Sequence, residues 1–258
     1  MNIAIIGGTG IDEIIDIDSI STLTTRFGEA QIIDGRLDDI RLLFVPRHGS
    51  SHNISPSRIN YRAQIAAIKK LGVQRVIGIC AVGSVRKDMP PGSFAVLGDF
   101  IDLTKKRIDT FFDDPEGPVV HTDFSHPYCP EISSTLSSAC GEAGVAFVPD
   151  AVYAGVEGPR YESPAEIRLY ASWGAHVIGM TNIPEVVLAK EAGLCYGAIG
   201  VITNMASGIS PTPLSHDEVR EAIASTSKSL ADVLRDAIRT LPKTRGCTCA
   251  SNSALVIT

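Results

Sequence analysis

Seven short apolar runs rich in β-branched residues recur along the chain, at residues 2–6 (NIAII), 41–46 (RLLFVP), 75–80 (RVIGIC), 94–98 (FAVLG), 146–156 (AFVPDAVYAGV), 176–180 (HVIGM) and 196–203 (YGAIGVIT). Each has the length and composition of a buried strand. Between them lie segments with apolar residues at three- and four-residue spacing. Ser55 and Pro56 form an N-cap and first-turn pair for a helix running to Leu71, which Gly72 stops. Similar signals predict helices near 130–143, 163–173, 185–193 and 215–240. Strands alternating with helices predict an α/β fold: a single domain over 1–242 with a mixed, largely parallel sheet flanked by helices. Residues 243–258 read as a weakly structured tail.

Length and composition are compatible with that core, with 258 residues of which 44% are hydrophobic and 20% charged. A formal net charge of −6 and the lack of any long run of like charge argue against nucleic acid and anionic membranes as partners. No stretch approaches the length of an apolar membrane span. The chain begins directly with MNIAIIGGTG, without a basic leader, so a cytoplasmic location is expected. Cys80, Cys129, Cys140 and Cys195 sit in apolar or helical surroundings and read as reduced core thiols. Cys247 and Cys249 form a C-x-C pair in the polar tail, open to a local disulfide or a soft metal; with no second Cys or His pair near them in sequence, no metal is assigned.

In an α/β sheet the chemistry gathers where strands end and loops converge. Those positions carry GGTG (7–10), RHG (47–49), AVGS (81–84), EGPRYE (157–162), MTNIPE (180–185) and TNMASG (203–208). The first offers backbone N–H groups and the Thr9 hydroxyl to an anion. It is not a dinucleotide fingerprint, because Glu13 stands where the third glycine belongs, and it lacks the lysine of an ATP-binding loop. Arg47 can fork onto two phosphate oxygens, with His48 and His52 as further donors. With Thr9, the Cys80–Ala81 backbone and Thr181, these residues make a candidate pocket for inorganic phosphate.

IIGGTG, RHG, NYRAQIAAIKKLG, AVGS, PGSFAVLGDFID, EGPR, GMTNIPEVVLAKEAGLCY and TNM together resemble the methylthioadenosine phosphorylase branch of the trimeric purine nucleoside phosphorylase family, over residues 2 to 241. The resemblance implies phosphorolysis of a purine nucleoside to the free base and ribose 1-phosphate or its 5-methylthio analogue. It implies phosphate as co-substrate, no metal or organic cofactor, and a homotrimer. It places Thr9, Arg47, His48, Cys80, Ala81 and Thr181 around phosphate, Met180 under the ribose, and Tyr161 against the base. Cys80 replaces the threonine of better-known members, so only its backbone is carried over.

Three departures bear on specificity. Adenine-directed members carry two aspartates in TDYD, where this chain has Asn204 and Ala206. An amide can donate to a 6-oxo oxygen or stabilise N7, whereas a carboxylate accepts from a 6-amino group. Glu162 stands where oxopurine-specific phosphorylases have a glutamate, able to accept from N1–H of hypoxanthine or guanine and to oppose the N1 lone pair of adenine. His216 replaces an apolar residue near the ribose 5′ end and suits a hydroxyl better than a thiomethyl group. Asn204, Glu162 and His216 are therefore the expected catalytic and specificity residues, with inosine or guanosine preferred. A methylthioadenosine or methylthioinosine phosphorylase is the alternative, and a hydrolytic nucleosidase of the same fold a further rival.

Overall fold

Helix and strand boundaries follow the sequence pattern closely in a computed structural model, which describes residues 2–8, 14–51, 53–210 and 213–252, the side chains of 216, 218 and 252 apart. The strands are β1 (Asn2–Gly7), β2 (Asp16–Thr25), β3 (Gly28–Leu37), β4 (Ile40–Pro46), β5 (Arg75–Ser84), β6 (Phe94–Leu103), β7 (Phe147–Val156), β8 (Val177–Gly179) and β9 (Cys195–Met205). The helices are α1 (Tyr61–Lys70), α2 (Pro130–Glu142), α3 (Pro164–Ser172), α4 (Asn182–Glu191) and α5 (His216–Thr240).

Local chemistry explains the helix starts. Ser55 and Pro56 open only a short 3-10 turn, and the Ser55 side chain makes no capping bond. The helix proper begins six residues later at Tyr61, because Asn60 supplies the cap, its Oδ1 accepting from the Ala63 N–H at 3.0 Å. Gly72, at φ +74°, ends it as expected. At α3, Ser163 and Glu166 satisfy each other's backbone N–H groups in a capping box, with Pro164 in the first turn. Ile183 departs from helical φ/ψ, so the regular part of α4 begins at Pro184, near the expected position.

The sheet order is β2-β3-β4-β1-β5-β8-β7-β6-β9, with β9 returning to pair with β5. β4, β1, β5 and β9 run parallel to their neighbours in that series, and β6, β7 and β8 run parallel to one another. The two groups meet in antiparallel pairings at β5–β8 and β6–β9, so the strands close into a ring rather than an open sheet. The β2–β3 hairpin at the other edge has no counterpart among the expected strands. α1 and α4 pack an apolar cluster on one side, where Ile65 and Ile68 are fully buried, each burial contributing roughly 1.5–3 kcal/mol. α2 and α5 pack a second cluster through Ile132, Leu136, Leu234 and Ile238. A third joins α3 to Val156, Ile178, Met180 and Ala206 at the ends of β7, β8 and β9.

Candidate active site

Ala81 is the one exposed residue of β5, although that strand is paired to neighbours on both sides. A central strand exposed at one position marks an opening in the fold, and among the described residues expected at a site, Arg47 follows β4, Thr181 follows β8 and Asn204 lies near the end of β9. Cys80, next to Ala81, is buried, and its thiol is pushed up to about 12 by desolvation, against the pull of the Arg47 charge. It is therefore a neutral wall residue, which suits a role through its backbone alone.

Arg47 follows β4 and is 2% exposed. Its guanidinium is engaged inside the protein, with Nε and Nη2 donating to the Glu185 carboxylate at 2.7 and 2.9 Å. Nη1 donates to the Ile79 carbonyl at 2.7 Å and Nη2 to that of Ile6 at 3.1 Å. Burial works against the charge, but the facing carboxylate outweighs it and holds the guanidinium above its ordinary value. The expected two-toothed grip on phosphate is thus corrected: the fork is closed on Glu185, leaving one Nη1 N–H for anything else. Arg47 instead ties the ends of β1, β4 and β5 to α4, fixing the backbone on which phosphate donors would stand.

Glu185 belongs to a wider network. Tyr196 Oη donates to its carboxylate at 2.6 Å, Asn182 Nδ2 donates to Tyr196 Oη at 2.8 Å, and Tyr128 Oη donates to Asn182 Oδ1 at 2.6 Å. Tyr153 Oη accepts from the backbone N–H groups of Thr181 and Asn182. Gly78 makes room for this arrangement: a Cβ there would lie 2.1 Å from Tyr196 Oη. All of these residues but Tyr128 fall within the apolar runs and motifs of the sequence, yet none stands out there by its side chain. Their signal was a charge, Glu185, inside the apolar run IPEVVLA, which can be buried only against a partner.

The other phosphate candidates are placed as follows. His48 Nδ1 lies 2.8 Å from the Ile54 carbonyl, which can only accept, so Nδ1 carries a proton there. Thr181 is buried at the start of α4, and its N–H is taken by Tyr153. Thr9, His52 and the side chain of His216 lie outside the described residues.

Of the residues expected to meet the base, Asn204 pairs in register with Gly83 of β5. Its orientation is set locally, with Oδ1 accepting from Thr203 Oγ1 at 2.9 Å and Nδ2 donating to the Met205 carbonyl at 3.0 Å. One amide N–H remains after that bond. Ala206 is buried, its N–H donating to the Ser84 carbonyl at 2.8 Å. Gly208 lies against Pro164, where a Cβ would come within 2.6 Å, so the loop leaving β9 touches the start of α3. Gly208 stands four residues after Asn204, and Pro164 two residues after Glu162, so the loop leaving β9 and the segment leading into α3 meet there. Glu162 is 8% exposed, and its carboxyl is raised above the ordinary range chiefly by desolvation. Tyr161 is 37% exposed, and Met180 packs beneath Gly158, whose added Cβ would lie 2.4 Å from the Met180 sulfur. A cleft of about 520 Å³ reaches Asn204 from the side of α5, lined by Gly92, Thr203, Met205, Ser210 and Glu221 among others; Glu162 and Tyr161 do not line it.

A mixed sheet closed into a ring, with an opening over its central strand and polar groups at the surrounding strand ends, is the nucleoside phosphorylase fold, the scaffold of an enzyme that transfers a pentosyl group. This chain belongs to the phosphorylase superfamily, whose family model matches residues 2–239. It is 46% identical over 252 residues to a Moorella thermoacetica protein named "Probable 6-oxopurine nucleoside phosphorylase", covering 97% of each chain. It is also 46% identical over 247 residues to a Methanocaldococcus jannaschii protein named "Probable S-methyl-5'-thioinosine phosphorylase", covering 96% of each. Among solved structures it is similar to the methylthioadenosine phosphorylase of Schistosoma mansoni in complex with adenine, with a TM-score of 0.91 and 28% identity over 98% of this chain and 96% of that one.

Proposed function

We propose that this enzyme cleaves purine nucleosides with inorganic phosphate, preferring 6-oxopurine nucleosides such as inosine and guanosine, and releases the free base and ribose 1-phosphate. The observation that carries the reading is the buried Glu162 carboxyl, two residues before Pro164 where α3 meets the loop that follows Asn204, together with an Asn204 amide oriented by Thr203 and Met205. Glu162 accepts from N1–H of the base, and the remaining Asn204 N–H donates toward O6 or N7 as negative charge develops there. Tyr161 packs on the base and Met180 lies under the ribose, with Ala206 leaving space where a bulkier side chain would stand. The two relatives at 46% identity have names that differ at the 5′ end of the ribose yet both denote an oxopurine base, which supports the same assignment.

Phosphate sits among Thr9, His48, the Cys80–Ala81 backbone and Thr181, on a platform braced by Arg47. Its negative charge stabilises the positive ribose as the glycosidic bond breaks, and it then captures C1′. The reaction asks for no covalent nucleophile, metal or organic cofactor, since phosphate and side-chain donors serve both developing charges. The enzyme works in the cytoplasm in purine salvage as a homotrimer, with no nucleic-acid or membrane partner. A 5′-methylthioinosine phosphorylase is the second reading, favoured by the similarity to the Methanocaldococcus jannaschii protein; His216 at the 5′ end argues for the hydroxyl.

The test compares inosine, guanosine, methylthioinosine, methylthioadenosine and adenosine, each with and without phosphate. Base release that depends on phosphate and is fastest for inosine or guanosine is expected. Release without phosphate would identify a hydrolase, and a preference for methylthioadenosine or adenosine would overturn the roles of Glu162 and Asn204.

A further inference from the structure

Four of the six cysteines converge at the end of β9 farthest from Asn204. The sulfurs of Cys129, Cys195, Cys247 and Cys249 all lie within 4.8 Å of one another. Cys247 Sγ is 3.8 Å from Cys129 Sγ and 3.3 Å from Cys195 Sγ. None of the four is in a disulfide, and three are buried. By contrast, Cys80 and Cys140 are buried without another sulfur in the group, which is how a thiol serving only as core filling is found. A tetrahedral zinc with Zn–S bonds of about 2.3 Å places its sulfurs about 3.8 Å apart, close to the spacing here.

We propose that these four cysteines form a structural zinc site. The ligands come from three separate places: Cys129 immediately before α2, Cys195 opening β9, and the C-x-C pair beyond α5. Their neighbours already hold them in position. The Cys129 N–H donates to the Tyr196 carbonyl at 2.7 Å, joining the start of α2 to the start of β9. Arg75, 2% exposed, donates through Nη2 to Glu131 of α2 at 3.1 Å and to the Thr244 carbonyl at 3.0 Å, and Arg245 reaches the Gly193 carbonyl at 3.3 Å. The tail that the sequence presents as loosely structured is therefore docked over residues 243–245, and the C-x-C pair is carried to the two distant thiols. Four protein ligands close the coordination shell, which is the arrangement of a structural rather than a catalytic zinc. Thiolate sulfur in a tetrahedral set selects zinc over the hard cations that prefer oxygen. Each thiol gives up its proton to solvent as its sulfur bonds the metal, so four protons leave for one Zn²⁺ bound, with no electron transferred, and affinity falls as pH falls. Nine residue steps along extended β9 carry the chain from Cys195 to Asn204, about 30 Å, so the metal clamps the tail without entering the reaction.

The experiment uses the full chain, purified under a thiol reductant without chelator, then stripped and titrated with Zn²⁺ or Co²⁺. One metal per chain is expected, with a thiolate-to-cobalt charge-transfer band and tetrahedral ligand-field bands that zinc abolishes. Zinc is expected to raise the Tm of the stripped protein by on the order of 10 °C while leaving kcat/KM for its nucleoside unchanged at temperatures below melting. The variant Cys247→Ser, Cys249→Ser should lose both the cobalt bands and the zinc-dependent Tm rise. If that variant fails to fold, the stripped and reloaded wild-type protein still decides the matter. Absence of stoichiometric uptake by the reduced protein overturns the site, as does peptide mapping that finds the four sulfurs joined in two disulfides in protein kept under reductant.

Discussion

Around Arg47 the charges are buried and bonded across four elements of the fold, whereas the Asn204 amide bonds, among the described residues, to its two neighbours, Thr203 and Met205. The first arrangement suits phosphate, whose shape is the same for every substrate. The second suits the base, where one amide or carboxylate decides which purine fits. A platform wired through the core cannot change without loss of the fold, but a locally held side chain can be exchanged at little structural cost. The rigid region should therefore report on stability and the local one on specificity.

The largest effect is expected where that division is attacked at its buried end. Glu185→Ala strands the Arg47 charge in the core and should cost about 3–5 kcal/mol, read as a shifted denaturant midpoint. Replacing both partners, as Arg47→Met with Glu185→Leu, should recover much of that loss while still impairing phosphate use. An unchanged midpoint in the single variant would show that the ion pair is not what holds these strand ends together.

At the base end, Glu162→Gln should lower kcat/KM for inosine by roughly 10- to 100-fold, the loss of a hydrogen bond to a charged acceptor, with little change in unfolding. The pH dependence carries a sign. Burial raises the Glu162 carboxyl, so on acidification it takes up its proton at higher pH than an ordinary glutamate. The acceptor is present above that pKa and lost below it, so inosine cleavage should fall on the acid side, and Glu162→Gln should remove that limb. A wild-type limb that persists in the variant assigns it to another group.

Asn204→Asp should reduce the inosine-to-adenosine ratio of kcat/KM by about 10-fold or more, with stability changed by less than about 1 kcal/mol. A constant ratio would remove Asn204 from base recognition. The smallest effect belongs to Thr203→Val, which keeps the shape but deletes the donor to Asn204 Oδ1; about 0.5–1.5 kcal/mol, or 2- to 10-fold in kcat/KM, is expected. An equal loss for phosphate binding in this variant would blur the boundary between the two regions.

Much of this organisation was legible in the sequence, and the exceptions have physical causes. Apolar runs revealed the buried strands, but β2 lies almost wholly in solvent and reads DIDSISTLTT, without the apolar run that marks a core strand. The ring closure was hidden because pairing of β9 with β5 and β6 depends on how distant segments meet, not on local pattern. Arg47 stood out as a functional cation, yet its partner lies 138 residues away, and a fork drawn toward phosphate looks the same in one dimension as a fork closed on a carboxylate. The C-x-C pair gave no metal reading for the same reason: Cys129 and Cys195 lie 118 and 52 residues from Cys247. Asn204 and Glu162, the proposed base-recognition residues, could be picked out in sequence because their setting is local, in the punctuation after an apolar run.

Gly78 touches neither face of the opening over Ala81, yet the hydroxyl of Tyr196 occupies the space its side chain would need. Substituting even one methyl there would force Tyr196 off Glu185 and crowd the carboxylate that holds Arg47. A position bearing no chemical group at all thus governs how the buried Arg47–Glu185 platform is laid, and a random-mutagenesis screen for activity should find it as unforgiving as the residues proposed to meet the nucleoside.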